Sequence, residues 1–181
     1  MEIILPPDMD RNNTCCFTGH RKIPDDRWDF ILRTLVKIVT ILASSGYRYF
    51  ICGGALGFDT LAANAVTAAA EKNSDIRLIL ALPCLNQTEK WLGADDGEEH
   101  IREYRRLKGL AHSVVYTGEM YSDDCMKKRN QFMVDNSSFC ISYYNGAVRS
   151  GTGQTHRMAV KAGLTVFNLY DNSSSEGTPD D

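Results

Sequence analysis

Short apolar runs alternate with amphipathic stretches of helical spacing along most of this chain. Each apolar run has the length of one β-strand, and the predicted strands are Thr14–Phe17, Arg48–Cys52, Ile76–Leu82, Ser113–Tyr116, Phe139–Tyr143 and Thr165–Leu169. The third run, IRLILAL, is almost continuously hydrophobic. This composition is typical of a strand that is covered on both faces.

Helices are predicted between consecutive strands. Their apolar residues recur at helical spacing over Asp25–Ser45, Asp59–Lys72, Glu99–Ala111, Asp124–Asn136 and Gln154–Ala162. This alternation predicts an α/β fold, a three-layer sandwich with a mostly parallel sheet of about six strands and helices on both faces. We expect one domain over residues 14–170, a loose lead-in at 1–13 and a disordered tail at 171–181.

Composition and charge restrict the function classes. The 181 residues, 43% of them hydrophobic, suffice for one domain with a sizeable core. A net charge of −3 supplies no general attraction to nucleic acid or to an anionic membrane, so neither is expected as a partner. The apolar runs are too short to cross a bilayer, and the N-terminus lacks the basic and apolar regions of a secretory signal. A cytoplasmic protein is therefore expected.

The six cysteines include no CxxC pair and no Cys/His spacing that suits zinc. We expect them to be small buried side chains in a reducing compartment, and we expect no metal site and no cofactor. Cys84, which follows the third strand, is the candidate for the alternative, a reactive thiol.

Special residues follow four of the strands. TGHR follows the first strand, GGALGFD the second, and a segment with Gln87 and Trp91 the third. The fifth strand leads into NGAVRSGTGQT, whose glycines open into a helix start and orient N–H groups and hydroxyls toward one point, as in an anion site. Because ligands of an open parallel sheet bind at the carboxyl ends of its strands, these loops predict a pocket for a phosphate-bearing small molecule.

Each candidate also has a structural interpretation. Asp59 either caps the second helix or contacts the ligand, and Arg129 either pairs with a phosphate or bridges a carboxylate such as Asp135. His20 and Arg21 lie at the pocket mouth or simply on a solvated loop. The chain has no GxGxxG motif and no Walker lysine, so ordinary dinucleotide and P-loop sites fit poorly.

Together the motifs resemble the YpsA-like branch of the SLOG superfamily. They are TGHR, GGALGFD, the P-x-x-x-Q-x-x-x-W pattern, KRNQFMVDNS and SGTGQT, in this order from about Cys15 to Leu169. The resemblance implies a Rossmann-like fold and a nucleotide or nucleotide-derived ligand. It also implies distant kinship with the Lonely Guy phosphoribohydrolases and with the DNA-processing protein DprA. Relatives in the superfamily often form dimers, so a homodimer is expected.

The phosphoribohydrolases carry an arginine that Arg129 resembles, and a Gly-Thr loop that Gly151 and Thr152 match. Thr155 stands where their loop has a glutamate that is needed for cleavage of the N-glycosidic bond. A threonine cannot supply that charge or act as a base at neutral pH. Asp59 or Asp135 could substitute for it, and nothing in the sequence places either one within reach.

Three functions therefore remain. The first is a sensor or regulator that binds a phosphoribosyl or ADP-ribose-like ligand. The second is an N-glycosidic or phosphoribosyl hydrolase with an atypical acid, for which Arg129 and Asp59 are the catalytic candidates. The third, DprA-like binding of single-stranded nucleic acid, conflicts with the negative charge and with the lack of an aromatic-studded basic groove. The predicted ligand-binding residues are Thr18, Gly19, His20, Arg21, Gly53, Gly54, Gly57, Asp59, Gln87, Trp91, Arg129, Asn130, Gly151, Thr152, Gly153 and Thr155.

Overall fold

The computed structural model describes residues 3–170, which contain a parallel six-stranded sheet. The strands are β1 (Thr14–Gly19), β2 (Tyr49–Cys52), β3 (Arg77–Leu82), β4 (Ser113–Tyr116), β5 (Phe139–Tyr143) and β6 (Thr165–Asn168). Their order across the sheet is β4-β3-β2-β1-β5-β6, and every neighbouring pair is parallel. The predicted α/β, Rossmann-like fold is confirmed.

Five α-helices connect the described strands. They are α1 (Trp28–Ser44), α2 (Phe58–Ala70), α3 (Gly97–Leu110), α4 (Cys125–Asp135) and α5 (Gly151–Lys161). Helix α5 begins at Gly151 rather than at the predicted Gln154, because the Ser150 side chain caps its first turn. The sequence GTGQT is therefore the start of a helix and not a loop. Within residues 3–170, no helix combines the length and the apolar character that a membrane span requires.

The two faces of the sheet carry separate hydrophobic clusters. Cys15 and Phe17 of β1 point into a cluster with α1, α2 and α3, and the intervening Cys16 points into a cluster with α4 and α5. This alternation is the ordinary side-chain period of a strand. All six cysteines are buried free thiols, and burial raises the pKa of the Cys84 thiol, which disfavours the alternative of a reactive thiol at this position.

The direction of strand addition reverses at β1. Strands β2, β3 and β4 lie on one side of it, and β5 and β6 lie on the other. The carboxyl ends of β1 and β5 therefore form the switch point of the sheet, where the connections leave toward opposite faces and open a crevice. The loops after these two strands carry the TGHR motif and residues 144–150.

Residues of the segment before β1 contact the rest of the domain. Arg11 donates hydrogen bonds to the carbonyl oxygens of Ser137 and Ala162, both at 2.9 Å. Asp8 accepts a hydrogen bond from the Tyr49 hydroxyl and forms an ion pair with Arg77 at 3.1 Å. The predicted tail at 171–181 lies outside the described residues.

Candidate functional site

A cavity of about 330 Å³ opens at the carboxyl end of β1, on the side of the sheet that α4 and α5 cover. We call it the main cavity. Its lining comes from the end of β1, the approach to α2, one face of α4 and the first turn of α5. The lining residues are Phe17, Thr18, Gly19, His20, Arg21, Ala55, Asp59, Met126, Arg129, Asn130, Met133, Ser150, Gly151 and Thr152.

A buried ion pair forms one wall of the main cavity. Arg129 Nη1 lies 3.8 Å from Asp59 Oδ2, and each residue is only 6% exposed. The same guanidinium donates through Nη1 to the carbonyl oxygen of Gly53 and through Nε to Asn130 Oδ1, the latter at 2.8 Å. Asp59 Oδ2 accepts the N–H of Ala55 at 3.3 Å. The guanidinium is therefore held in place by α2, α4 and the end of β2.

Arg129 bridges a carboxylate, as one alternative from the sequence expected, but the partner is Asp59. Arg129 does not bridge Asp135, whose carboxylate accepts a hydrogen bond from Gln131 Nε2 at 2.7 Å. Asp59 does not cap α2, because Gly57 occupies the N-cap position and Asp59 lies inside the first turn. The sequence could not select Asp59 as the partner because the two residues are far apart in the chain and meet only through the sheet.

Burial dominates the electrostatics of the pair. It raises the pKa of the Asp59 carboxyl, and the charge of Arg129, with smaller help from Arg21, opposes that rise. Burial also lowers the pKa of Arg129, which the Asp59 charge opposes. A guanidinium stays protonated at any physiological pH, so the wall of the cavity carries a fixed cation beside a carboxylate that is costly to ionise.

The first turn of α5 faces the main cavity with backbone donors. Ser150 Oγ accepts the N–H of Gly153 at 2.9 Å. The N–H groups of Gly151 and Thr152 precede it at the first helical positions, where a helix offers no internal acceptor. Both residues line the cavity. This helix start therefore brings two donors and the positive end of a helix dipole to the side of the cavity that Arg129 also lines.

Two glycines hold the TGHR loop against α2. A side chain at Gly57, whose φ is +76°, would collide with the backbone of Arg21. A side chain at Gly19 would collide with the ring of Phe58. The close approach places Arg21, an exposed residue, at the rim of the main cavity. Gly19 and Gly57 thus allow the close packing of the TGHR loop on α2 that shapes this wall of the main cavity.

The main cavity does not include every predicted residue. Gly53 and Gly54 contribute carbonyl oxygens to Arg129 and to Gln87 Nε2, the latter at 2.9 Å. Gln87 is buried, and its Oε1 has no hydrogen-bond partner within residues 3–170. Trp91 packs edge-on against Tyr104 and lines a small separate cavity between α2 and α3.

Gly153 and Thr155 also lie outside the lining. Gly153 is buried and gives its N–H to the Ser150 cap. Thr155 is 1% exposed, and its hydroxyl donates to the carbonyl oxygen of Gly151 at 3.0 Å. Its side chain bonds within α5 instead of entering the main cavity, so a glutamate here would face the protein interior.

Thr155→Val is therefore expected to leave ligand affinity unchanged and to lower the free energy of unfolding by about 0.5–1.5 kcal/mol, the net value of one hydrogen bond. Urea denaturation measures the second quantity, and titration with a nucleotide measures the first. A loss of affinity without a loss of stability would contradict the position given to this hydroxyl.

Sequence reasoning missed a second cleft beside the main cavity. It has a volume of about 540 Å³ and lies at the switch point, on the α1 side of the sheet. We call it the basic cleft. It is lined by His20, Arg21, Lys22, Pro24, Arg27, Tyr143, Asn145 and Tyr170. The sequence feature that could have indicated this cleft is the basic run HRK after the first strand, followed five residues later by Arg27.

His20 and Arg21 line both the main cavity and the basic cleft. The His20 ring is fixed by a hydrogen bond in which the N–H of Asn145 donates to His20 Nε2, at 3.2 Å. Across residues 3–170 no cluster of three or more His, Cys, Asp or Glu side chains is arranged to hold a metal ion.

Residues 16–165 match the YspA SLOG family. The SPbeta prophage-derived protein YoqJ of Bacillus subtilis (strain 168) is 28% identical over 162 residues, which are 82% of this chain and 90% of that protein. A UPF0398 protein of Bacillus cereus (strain G9842) is 28% identical over 118 residues, which are 64% of this chain and 61% of that protein.

The fold is similar to that of DNA processing protein A from Helicobacter pylori, a structure described for its unique single-stranded DNA binding mode. The TM-score is 0.58 and the sequence identity is 19%. The similarity covers 86% of this chain and 64% of that chain. At this identity the likeness concerns the fold alone.

Proposed function

The chain belongs to the YspA SLOG family, as its motifs predicted, and we propose that its main cavity binds the phosphate-bearing part of a nucleotide or nucleotide-derived molecule, as a sensor or regulator. One observation carries this proposal. A buried, fixed guanidinium and two helix-start N–H groups line one cavity, and both are donors suited to phosphate oxygens.

The remaining lining fits the rest of such a ligand. Asp59 supplies carboxylate oxygens that could accept ribose hydroxyls, and Asn130 supplies an amide. Met126 and Met133 give an apolar surface that adapts to a flat base. Arg21 at the rim adds a solvated cation that attracts an anion before it enters.

Hydrolysis is the second use of the same cavity. A carboxyl group whose pKa is raised by burial is a frequent property of catalytic acids, and Asp59 is such a group. Asp59 is the one carboxylate among the lining residues, and Thr155 is turned away from the cavity. An N-glycosidase activity here would therefore depend on Asp59 as acid or base, with Arg129 holding the phosphate.

Thermal denaturation with a panel of AMP, NAD and ADP-ribose tests binding. A true ligand at about 100 times its dissociation constant stabilises the folded protein by about 2.7 kcal/mol. Assay of the same mixtures for released base separates a binder from an enzyme. If base appears and its release is lost in Asp59→Asn, the hydrolase replaces the sensor, and a flat thermal response across the panel removes both.

Arg21→Ala is expected to weaken binding of the ligand found in that panel by about tenfold, because it removes one charged contact to phosphate. Its thermal stability without ligand should not change, since Arg21 is exposed. Arg105→Ala is the matched control, because it removes an exposed arginine on α3 that lines neither the main cavity nor the basic cleft. Equal effects of the two substitutions would count against the position proposed for the ligand.

Single-stranded nucleic acid is a second candidate, favoured by one observation. Two arguments from the sequence opposed it, the net charge of −3 and the absence of a basic groove with aromatic residues. The basic cleft bears on the second, because its lining combines Lys22 and Arg27 with Tyr143 and Tyr170. The likeness in fold to DNA processing protein A points the same way. Titration with an oligonucleotide at about 50 mM salt, where phosphate contacts are strong, tests this candidate.

A further inference from the structure

We propose that the basic cleft is a second phosphoryl subsite for the ligand of the main cavity. The ligand is then a nucleotide extended by a second phosphorylated unit, of the size of a dinucleotide. This inference rests on the proposed function, because it assigns the first phosphoryl group to the main cavity. It adds a site and a ligand class to that function.

The charge of the basic cleft supports an anionic occupant. Lys22 and Arg27 line it together with Arg21, and none of its lining residues is acidic. Asp26 lies close enough to raise the pKa of Tyr143, an effect smaller than that of burial and opposed by Arg27. The charged side chains in the lining are therefore all cationic, and the acidic Asp25 and Asp26 lie between Pro24 and Arg27 in the chain without lining the cleft.

The connection between the two cavities supports a single ligand. His20 and Arg21 line both, so the two cavities lie next to each other at the end of β1. The His20 ring is held there by the N–H of Asn145, which follows β5. A molecule bound across this point would lie over the switch point of the sheet, where open α/β sheets bind ligands that span the crevice.

The aromatic wall supports a nucleoside unit near the second phosphoryl group. Tyr143 and Tyr170 meet edge to face with their ring centroids 5.1 Å apart, and Tyr143 stacks on Phe58 at 5.7 Å. Tyr143 is itself only 4% exposed, so the half-buried Tyr170 is the ring that can offer a surface to a base. Exposed aromatic surfaces stack bases without sequence preference. Free dinucleotides and the end of a nucleic-acid strand share this chemistry, and we assign the cleft to a free dinucleotide.

The test compares AMP with pApA, the 5′-phosphorylated adenylyl dinucleotide, by isothermal titration calorimetry on the full chain. AMP reports on the main cavity and pApA on both cavities. We expect pApA to bind at least about tenfold more tightly than AMP, the value of one further charged contact. If AMP binds and pApA binds no more tightly, the second subsite is overturned while the proposed function stands. If neither binds, the second subsite is overturned, and the thermal response to NAD and ADP-ribose decides whether the proposed function stands.

Lys22→Ala isolates the second subsite, because Lys22 lines the basic cleft and not the main cavity. It should weaken pApA about tenfold and leave AMP unchanged. Lys37→Ala, an exposed lysine of α1 that lines neither cavity, should change nothing. An unchanged pApA affinity in Lys22→Ala overturns the proposal, and a longer strand that binds far more tightly than pApA overturns the assignment to a free dinucleotide.

Discussion

Arg129→Met is expected to lower the free energy of unfolding by about 3–5 kcal/mol, the usual cost of removing one partner from a buried ion pair. The loss arises because the buried carboxylate of Asp59 remains after its partner is removed. Asp59 is buried beside a guanidinium 3.8 Å away, and without that cation its carboxylate at neutral pH would be a buried charge with no buried counter-charge. The methionine fills most of the space of the arginine stem, so little of the loss comes from a cavity.

The double variant Asp59→Asn/Arg129→Met separates charge from packing. It should be more stable than Arg129→Met alone, because no unpaired charge stays buried. Urea denaturation of the wild type, both single variants and the double variant gives the coupling free energy of the pair. If the double variant is the least stable protein and the two losses simply add, the ion pair does not have the role given to it here.

The pH dependence of Arg129→Met gives an independent check. Burial raises the pKa of Asp59 above its ordinary value of 3.8, and Arg129 opposes the rise, so its loss raises that pKa further. A carboxyl whose folded pKa exceeds its unfolded value binds more protons when folded. Its stability contribution is therefore present below the unfolded pKa and is lost as the pH rises through the folded pKa. The deficit of Arg129→Met relative to the wild type should shrink as the pH falls from neutral toward about 4.

The order of elements and the edge of the sheet that carries the site could be predicted from the sequence. Strand-length apolar runs and helical periodicity are local properties, and parallel strands bring their carboxyl ends to one edge whatever their spatial order. For this reason the loops at Thr18–Arg21 and near Gly151 were correctly expected at the same edge of the sheet. The SGTGQT motif was also correctly associated with a helix start, although the helix begins earlier than predicted.

Contacts between distant segments could not be predicted. Whether Arg129 pairs with Asp59 or Asp135 depends on which strands are neighbours, and the strand order is not encoded in the local pattern. The direction of the Thr155 hydroxyl depends on where α5 begins, which the Ser150 cap decides. The basic cleft was missed because net charge averages over the whole surface, whereas Lys22 and Arg27 gather at one place.

Gly57→Ala is expected to be strongly destabilising, with a loss of about 2–5 kcal/mol in the free energy of unfolding. Two costs add at this position. Its backbone, with φ +76° and ψ −118°, lies outside the regions open to L-residues. The new methyl group would also collide with the backbone of Arg21, so the TGHR loop must move away from α2. Ligand affinity should fall together with stability, because Arg21 lines both cavities.

Gly163→Ala is the matched control for this substitution. Gly163 has nearly the same φ, +77°, and nothing lies within 4 Å of an added methyl group. It should therefore lose only the conformational cost of a left-handed residue, about 1–2 kcal/mol, with no change in ligand affinity. Chemical denaturation and nucleotide titration of both variants measure the difference. Equal losses in the two variants would mean that the contact between Gly57 and the Arg21 backbone does not position the TGHR loop, and that the shape of both cavities depends on other contacts.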